Sequence, residues 1–445
     1  MSAIINNSFR KFQADNFIAT FADATINLYL AIGKASPWSG ASLSEYTASS
    51  PSDAVIPVPI DTTQGTYTHF NDMIAAKKIP NTSVSHVLKR IDWTTGTVYV
   101  EYDHLQDDII DQNFFVFTEE YRVYKCIHNN NGATSTVKPT GVSTSIIETS
   151  DKYRWKFMFE VQQADVLKFV TTDWIPMQTL TADDTTEQWD VQQAAVDGAL
   201  EHIDVTAGGS GYRSNTGTAQ AGSISTTIVL ATGANATDDY YNSMTVYIDT
   251  GPGAGEFKTI TDYVGSTRTA TVSAWTTTPT SSSTYEVMPA VTISTSEGSG
   301  ATARVSGVTG GVITKVSMVT VGTLYRSGTA TVSSGSGSGC TLVPKIGPQG
   351  GHGKDAVAEL GGGYVMMNAR LVGADGSNDF PVGDDFRKVL LLLNPKESGG
   401  AVATGSTYAL SELTADVGTI IYTEFRAPIN RSADSTEDIK LVVEF

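Results

Sequence analysis

The feature that most restricts the fold of this chain is a repeat whose two halves are spaced differently. "IDVTAGGSGYRS" (Ile203 to Ser214) aligns with "VSMVTVGTLYRS" (Val316 to Ser327), and Tyr212 and Tyr325 set that offset at 113 residues (325 − 212). The second halves, "GSGATARVSGV" from Gly298 and "GSGCTLVPKIG" from Gly337, are offset by only 39 residues (337 − 298). Repeats that stack directly have periods of about 20 to 50 residues, so the first copy must carry an insertion of about 74 residues. The inserted piece covers about 221 to 289, where turn residues alternate with short strand-like runs. Loop tips with neighbouring ends are where such insertions cost least, which predicts a small β module nested inside a larger one.

Between about 205 and 345 the chain is rich in Gly, Ser, Thr, Ala and Val, and the flanks on either side have a different character. At 445 residues the chain exceeds a single ordinary core and is expected to form several domains. Its 29 basic residues are scattered and outnumbered by 47 acids, for a net charge of −18. That balance excludes a phosphate-tracking nucleic-acid groove and disfavours anionic membrane surfaces. The longest aliphatic run, "VLLLL" (Val389 to Leu393), is far short of the roughly 20 residues that span a bilayer, so no membrane insertion is expected. The start of the chain has no signal-peptide pattern, which points to folding in a cytoplasm. Cys126 and Cys340 have no CxxC or Cys/His companion at metal-ligand spacing, and both read as packed thiols.

In the flanks, strand patterns dominate. In "YRWKFMFE", Tyr153, Trp155, Phe157 and Phe159 alternate with Arg154, Lys156 and Glu160, which predicts a half-buried strand. "TVYVEY" (Thr97 to Tyr102) and the closing "KLVVEF", with Leu441, Val443 and Phe445 on one face, read as strands too. "VYKCIHNNNGATSTVKPTG" (Val123 to Gly141) predicts a strand through Ile127, then a turn in which Asn131 and Gly132 take left-handed geometry. Near the N-terminus, Phe9, Phe12, Phe17 and Phe21 recur at near-helical intervals and Ser8 is placed to cap a short helix.

Catalytic signatures are weak. "GPQGGHGKD" (Gly347 to Asp355) fails as a P-loop, because Pro348 stands where the first glycine is needed and Asp355 where a Ser or Thr would hold magnesium. His352 in that loop lacks a local nucleophile or acid partner, and "GSGSG" (Gly335 to Gly339) lacks the central Ser of a nucleophile elbow. The acid clusters at Asp107 to Asp111, Ala182 to Asp184 and Gly383 to Asp385 read as solvated turns before they read as a carboxylate pair or calcium site. Trp38, Trp93, Trp155, Trp174 and Tyr124 can in principle stack on sugars, but core or interface burial is the stronger reading. No catalytic, cofactor or metal residues are assigned.

Several flanking segments together resemble one family. "YLAIGKASPWSG", "KRIDWTTGTVYVEYD", "VYKCIHNNNGATSTVKPTG" leading into "YRWKFMFE", "KFVTTDWIPM", "YVMMNARLVG", "FRKVLLLLNP" and "IIYTEFRAPINRSADSTEDIKLVVEF" are similar to the baseplate wedge protein, gene product eight, of T-even-type contractile-tailed phages. The resemblance covers roughly 1 to 200 and 346 to 445 in order; the 205 to 345 segment departs from it. It implies a non-enzymatic virion subunit of the tail baseplate, assembled in the host cytoplasm. It also implies a homodimer that contacts wedge proteins resembling gene products six, seven and ten.

The expected fold is mainly β, a multi-domain β-sandwich-type structural protein with a short N-terminal helix and nested inserted β modules. The expected domains are 1–203 plus 346–445 as the wedge-protein core, 204–220 plus 290–345 as the repeat module, and 221–289 as the nested module. Candidate contact residues are Trp38, Trp93, Tyr124, Trp174, Tyr422, Phe425, Arg426, Leu441, Val443 and Phe445. A rival reading is a host-surface glycan-binding tail protein acting through the inserted modules. A third is a glycan hydrolase using acids such as Asp107 or Asp384.

Overall fold

The computed structural model describes residues 6–33, 73–371 except 105 and 107, 385–409, 412–414, 417–430 and 437–445. Strands are numbered β1 to β25 and helices α1 to α4 along the chain. The protein is mainly β, built from antiparallel sheets, and it divides into two compact units. The first takes Met1–Ile91, Val161–Thr179 and Ala356–Phe445; the second takes Asp92–Glu160 and Leu180–Asp355. This division departs from the one drawn on sequence, because residues 92–160 and 180–203 cluster with the 205–345 segment.

The first unit holds two sheets. One has the order β23 (Thr407–Ala409), β2 (Met73–Lys78), β1 (Leu28–Gly33), β22 (Asp385–Leu393), β24 (Thr419–Asn430). The other runs β25 (Glu437–Glu444), β21 (Tyr364–Leu371), β3 (Val84–Lys89), β8 (Trp174–Met177). Alternation along each strand sends Leu28, Leu30, Ile32, Val389 and Leu391 of one sheet into a common cluster with Val365, Met367, Ala369 and Leu371 of the other. The opposite face of the five-stranded sheet is buried as well, with Tyr29, Leu390 and Leu392 packed on Tyr408 and Leu413. That double burial explains the unbroken apolar run of β22.

Helix α1 (Asn7–Thr20) adds Ala14, Phe17, Ile18 and Phe21 to the shared cluster. Its cap is Asn6, whose Oδ1 accepts from Phe9 N at 2.9 Å, two residues earlier than the Ser8 cap expected from sequence. Phe9 and Phe12 lie on the exposed side of the helix. A second short helix, α2 (Gln163–Phe169), buries Phe169. Helix α4 (Ala356–Leu360) buries Val357 and Leu360.

The second unit begins with the sheet β4 (Phe115–Phe117), β5 (Arg122–His128), β7 (Arg154–Glu160), β6 (Ile147–Glu148). Strand β7 is buried on both faces, contrary to the half-buried expectation: Lys156 and Met158 are as enclosed as Trp155 and Phe157. Lys156 is tolerated there because its Nζ donates to Thr144 O at 2.6 Å. Residues 97–102 are not a ladder strand. Tyr99 and Tyr102 are buried, yet the backbone bonds singly, Val100 N to Asn113 O and Tyr102 N to Cys126 O. After β5 the turn takes left-handed geometry at Asn130, Asn131 and Gly132, one residue more than sequence suggests. Helix α3 (Glu187–Ala194) covers β7 with Val191.

The 200–346 segment contains the repeat, and its halves interlock. Strand β9 (Leu200–Ser210) of the first copy pairs with β20 (Ser338–Ile346) of the second, while β17 (Ser299–Thr309) of the first pairs with β18 (Val312–Thr323) of the second. The registers correspond under the two offsets: Ser210↔Ser338 matches Thr323↔Ser299, and Gly208↔Cys340 matches Val321↔Ala301. Tyr212 Oη accepts from Cys340 N at 3.3 Å, and Tyr325 Oη accepts from Ala301 N at 3.0 Å. Tyr212 N donates to Gly311 O, and Tyr325 N to Gly198 O.

Gly209 and Gly322 have φ near +63° and +62°, and a Cβ at either would lie 2.4 Å from backbone of the facing strand. Both the left-handed backbone and the close approach require glycine there. β16 (Val291–Ser294) and β19 (Thr329–Val332) complete the four-stranded sheet with β20 and β9. Ile203, Tyr212, Val305, Ile313 and Leu342 fill the core between these strands.

The nested stretch makes a six-stranded sheet of its own. Its order is β10 (Asn215–Thr218), β15 (Thr284–Met288), β12 (Thr245–Thr250), β13 (Phe257–Val264), β14 (Thr269–Val272), β11 (Thr227–Val229). A separate cluster including Ile228, Tyr241, Val246, Ile248, Tyr263, Trp275, Tyr285 and Val287 lines it. Its entry and exit strands are neighbours, with Thr216 opposite Glu286.

Candidate functional site: a histidine and carboxylate cluster beside a cationic cleft

Strand alternation and register gather a close set of titratable side chains in the second unit. His202 and Asp204 stand two apart on β9 and share a face, as do Glu101 and Asp103 on the extended stretch before β4. His128 ends β5, directly across from Arg154 at the start of β7, and Arg154 also faces Glu148 on β6. Lys345 on β20 lies opposite His202.

The contacts are short. His128 Nδ1 lies 2.9 Å from Glu101 Oε2 and 3.4 Å from Asp204 Oδ1. His202 Nε2 lies 2.6 Å from Asp204 Oδ1, and Arg154 Nη1 donates to His202 Nδ1 at 2.8 Å. Since Nδ1 accepts from a guanidinium that is always protonated, the proton of a neutral His202 must sit on Nε2 and point at Asp204. Lys345 Nζ donates to Asp103 Oδ2 at 2.8 Å and stands 3.8 Å from both Glu101 and Asp204.

Opposing forces set the protonation states. Burial alone lowers the basicity of His128, but hydrogen bonds to Asp204 and Glu101 and their charges outweigh it, pushing its pKa to about 9. Burial wins at His202, which falls to about 4 despite the pull of Asp204. Burial would raise Asp204, yet its hydrogen bonds to His128 and His202 hold it well below the ordinary carboxylate range. Burial raises Glu101. His128 and Lys345 are thus the cations set directly among the carboxyl groups of Glu101, Asp103 and Asp204, while Arg154 is held on the ring of His202.

Glu101, His128, His202 and Asp204 also offer four ligand atoms within 4.8 Å of one another, a donor set suited to a divalent transition metal. Its surroundings do not fit one. A metal on His202 Nε2 would drive that proton onto Nδ1, where Arg154 already donates, and a metal-bound histidine needs an acceptor at its second nitrogen. Lys345 further competes for both carboxylates. The arrangement is a brace of hydrogen bonds and ion pairs between β5, β9, β20 and the 97–103 stretch.

Beside it opens a cleft of about 390 Å³, whose wall includes His128, His202, Arg154, Glu148, Lys152 and Lys315.

The residues singled out from sequence are spread over both units. In the first, Trp174 packs its ring 4.9 Å from Tyr364, Tyr422 is 41% exposed with its hydroxyl on Glu424, and Phe425 lies 5.5 Å from Lys388 Nζ. Leu441, Val443 and Phe445 are partly buried against the sandwich core, with Phe445 5.4 Å from Phe17. In the second unit, Trp93 Nε1 donates to Ser135 Oγ at 3.1 Å. Tyr124 is wholly enclosed, bonded to Gly141 O at 2.8 Å and packed on Phe157, so it is a core residue and presents no contact surface.

Trp38, Asp107 and Asp384 lie outside the described residues, as does the side chain of Arg426. Asp183 and Asp184 accept backbone N–H groups of Thr185 and Thr186 ahead of α3, a turn role. His352 is buried against Tyr102, and burial holds it neutral, far below its ordinary pKa. Cys126 and Cys340 are free thiols. No protein-family model matches the chain, and no curated protein is similar to it. Among the described residues no helix is long and apolar enough to cross a membrane.

Proposed function

We propose that the chain is a structural subunit of a contractile phage tail baseplate wedge, a homodimer in the virion that contacts other wedge proteins. One observation carries the reading: segments with the family resemblance, distant in sequence, are hydrogen-bonded neighbours in the first unit. "YVMMNARL" (β21) lies between the closing "EDIKLVVE" (β25) and β3, and β3 pairs with the strand of "DWIPM" (β8). "FRKVLLLL" (β22) pairs with "TIIYTEFRAPIN" (β24). A sandwich closed in this way offers rigid faces for protein contacts, the use that the resemblance implies.

The test is to co-express the tagged chain with the other wedge proteins of its phage, measure its mass by light scattering and identify co-purified partners. A dimer that enters a wedge complex is expected. A monomer that captures none of them would refute the assignment, and glycan binding by such a monomer would favour the host-surface reading.

A further inference from the structure

The cleft next to the histidine and carboxylate cluster has a charge at odds with the rest of the molecule. The chain carries a net −18, yet Arg154, Lys152 and Lys315 meet on this wall with Glu148 as their nearby carboxylate. Glu148 is divided between the two lysines at 3.4 to 3.5 Å, longer than a good charge-assisted hydrogen bond. Three cations to one carboxylate leave the wall positive.

Arg154 is the least compensated of them. It is partly buried, and among the described residues its one side-chain hydrogen bond goes from Nη1 to the neutral ring of His202 and no carboxylate lies within ion-pair distance of it. Burial works against its charge. Charged groups withdrawn from water are normally paired, and a guanidinium has five donors in a planar fork that matches a carboxylate with two parallel bonds. The His202–Asp204 contact fixes the imidazole tautomer, and thereby the acceptor on which Arg154 is held. The arginine is thus held on His202 at the wall of the cleft.

A volume of about 390 Å³ exceeds what a bare inorganic anion needs and falls at the small end of pockets that enclose organic ligands. Asn131, Thr314 and Ser317 add hydroxyl and amide groups to the rim, and Val316 adds an apolar strip. That lining suits a compact polyhydroxylated ring better than an extended peptide, which needs a groove or a free sheet edge.

We propose that this cleft binds one carboxylate-bearing sugar ring, with the carboxylate on the Arg154 fork between Lys152 and Lys315. The site stands on the cleft alone and does not depend on the baseplate assignment.

Titration calorimetry of the full chain with glucuronate, glucose, acetate, inorganic phosphate and a short Glu-containing peptide tests this. Glucuronate is expected to bind about tenfold or more tighter than acetate or phosphate, glucose not measurably, and high salt should weaken the binding. Lys315, with its side chain half exposed, can be changed without disturbing the fold. Lys315→Gln should therefore weaken glucuronate about three- to tenfold at unchanged melting temperature, and Arg154→Gln should abolish it. Equal binding of acetate, phosphate and glucuronate would overturn the proposal, since it would show anion attraction only. Preference for the peptide, no binding of glucuronate, or binding untouched by Lys315→Gln would overturn it as well.

Discussion

The brace around His128 makes the second unit's stability depend on pH in a calculable way. Folding raises the pKa of His128 from 6.5 to about 9, so its contribution is complete below pH 6.5 and lost as pH rises through 9. At about 1.4 kcal/mol per tenfold change in proton affinity, the full effect is about 3 kcal/mol, falling to about 1.4 kcal/mol at pH 8 and to almost nothing at pH 9.5. His202 acts oppositely: lowered from 6.5 to about 4, it favours folding above 6.5 and costs about 2 kcal/mol by pH 5. Glu101, raised by burial, offsets part of that acid-side loss, which makes the alkaline limb the cleaner test.

The perturbation is His128→Gln, which keeps polar reach toward Glu101 and Asp204 but cannot take up a proton. Native-state hydrogen exchange of peptides covering β5 and β9, compared between wild type and variant at each pH, cancels the intrinsic exchange rate. The variant should exchange on the order of 100-fold faster at pH 6.5, about tenfold faster at pH 8, and at nearly the wild-type rate at pH 9.5. A ratio that stays constant across this range would show that His128 is not charged in the fold, and the brace as described would be wrong.

Tyr212→Phe and Tyr325→Phe should each destabilise the repeat module by about 1 kcal/mol, since each removes the acceptor of one facing backbone N–H. Urea unfolding that finds one costly and the other neutral would contradict the interlock. Excising Gly217–Tyr285 and joining Thr216 to Glu286 with Asn-Gly should leave a folded chain, because these residues already face each other in the ladder. Aggregation of that variant beside a well-behaved full-length chain counts against the nesting. Truncation after Asp438 removes Leu441, Val443 and Phe445 from the sandwich, each partly buried and contributing about 1 kcal/mol, and bares the edge of β21. Its expected result is loss of soluble dimer by light scattering, and an intact dimer would refute it. Cys126 is fully buried with its thiol pushed far up, so it should resist a thiol reagent until the protein is denatured, whereas partly exposed Cys340 reacts first.

What sequence reveals here follows from the range of the interactions. The repeat is legible because Gly209, Gly322, Tyr212 and Tyr325 answer local backbone demands that leave an imprint in each copy. The exchange of partners between copies leaves no such imprint, since either pairing satisfies the same residues. "TVYVEY" alternates like a strand and buries Tyr99 and Tyr102, yet its backbone bonds to three separate segments; alternation reports burial, not a ladder. The second face of β7 was hidden by Lys156, which reads as solvated until its acceptor at Thr144 is seen. The histidine and carboxylate cluster was missed for a related reason. The pairs Glu101/Asp103 and His202/Asp204 show the two-residue spacing of a strand face, but sequence does not say that they converge on His128.

The nested organisation accounts for how a chain this long keeps its pairing order. The 200–346 segment leaves and returns on adjacent antiparallel strands, with Leu200 opposite Ile346, and the inner module does the same, with Thr216 opposite Glu286. Each insertion is closed at its own neck, so its length adds little to the entropy of forming the strands outside it, where closure cost rises only with the logarithm of loop length. The inner module brings its own apolar cluster and shares with the core of the repeat only the end of β15, where Met288 joins the repeat's cluster. The outer neck is different, because the brace is built on it: His202, Asp204 and Lys345 lie within a few residues of the point where the segment departs. Changes inside the nested module should therefore be absorbed locally, whereas changes at the outer neck act on the brace, the position of Arg154 and the cleft together.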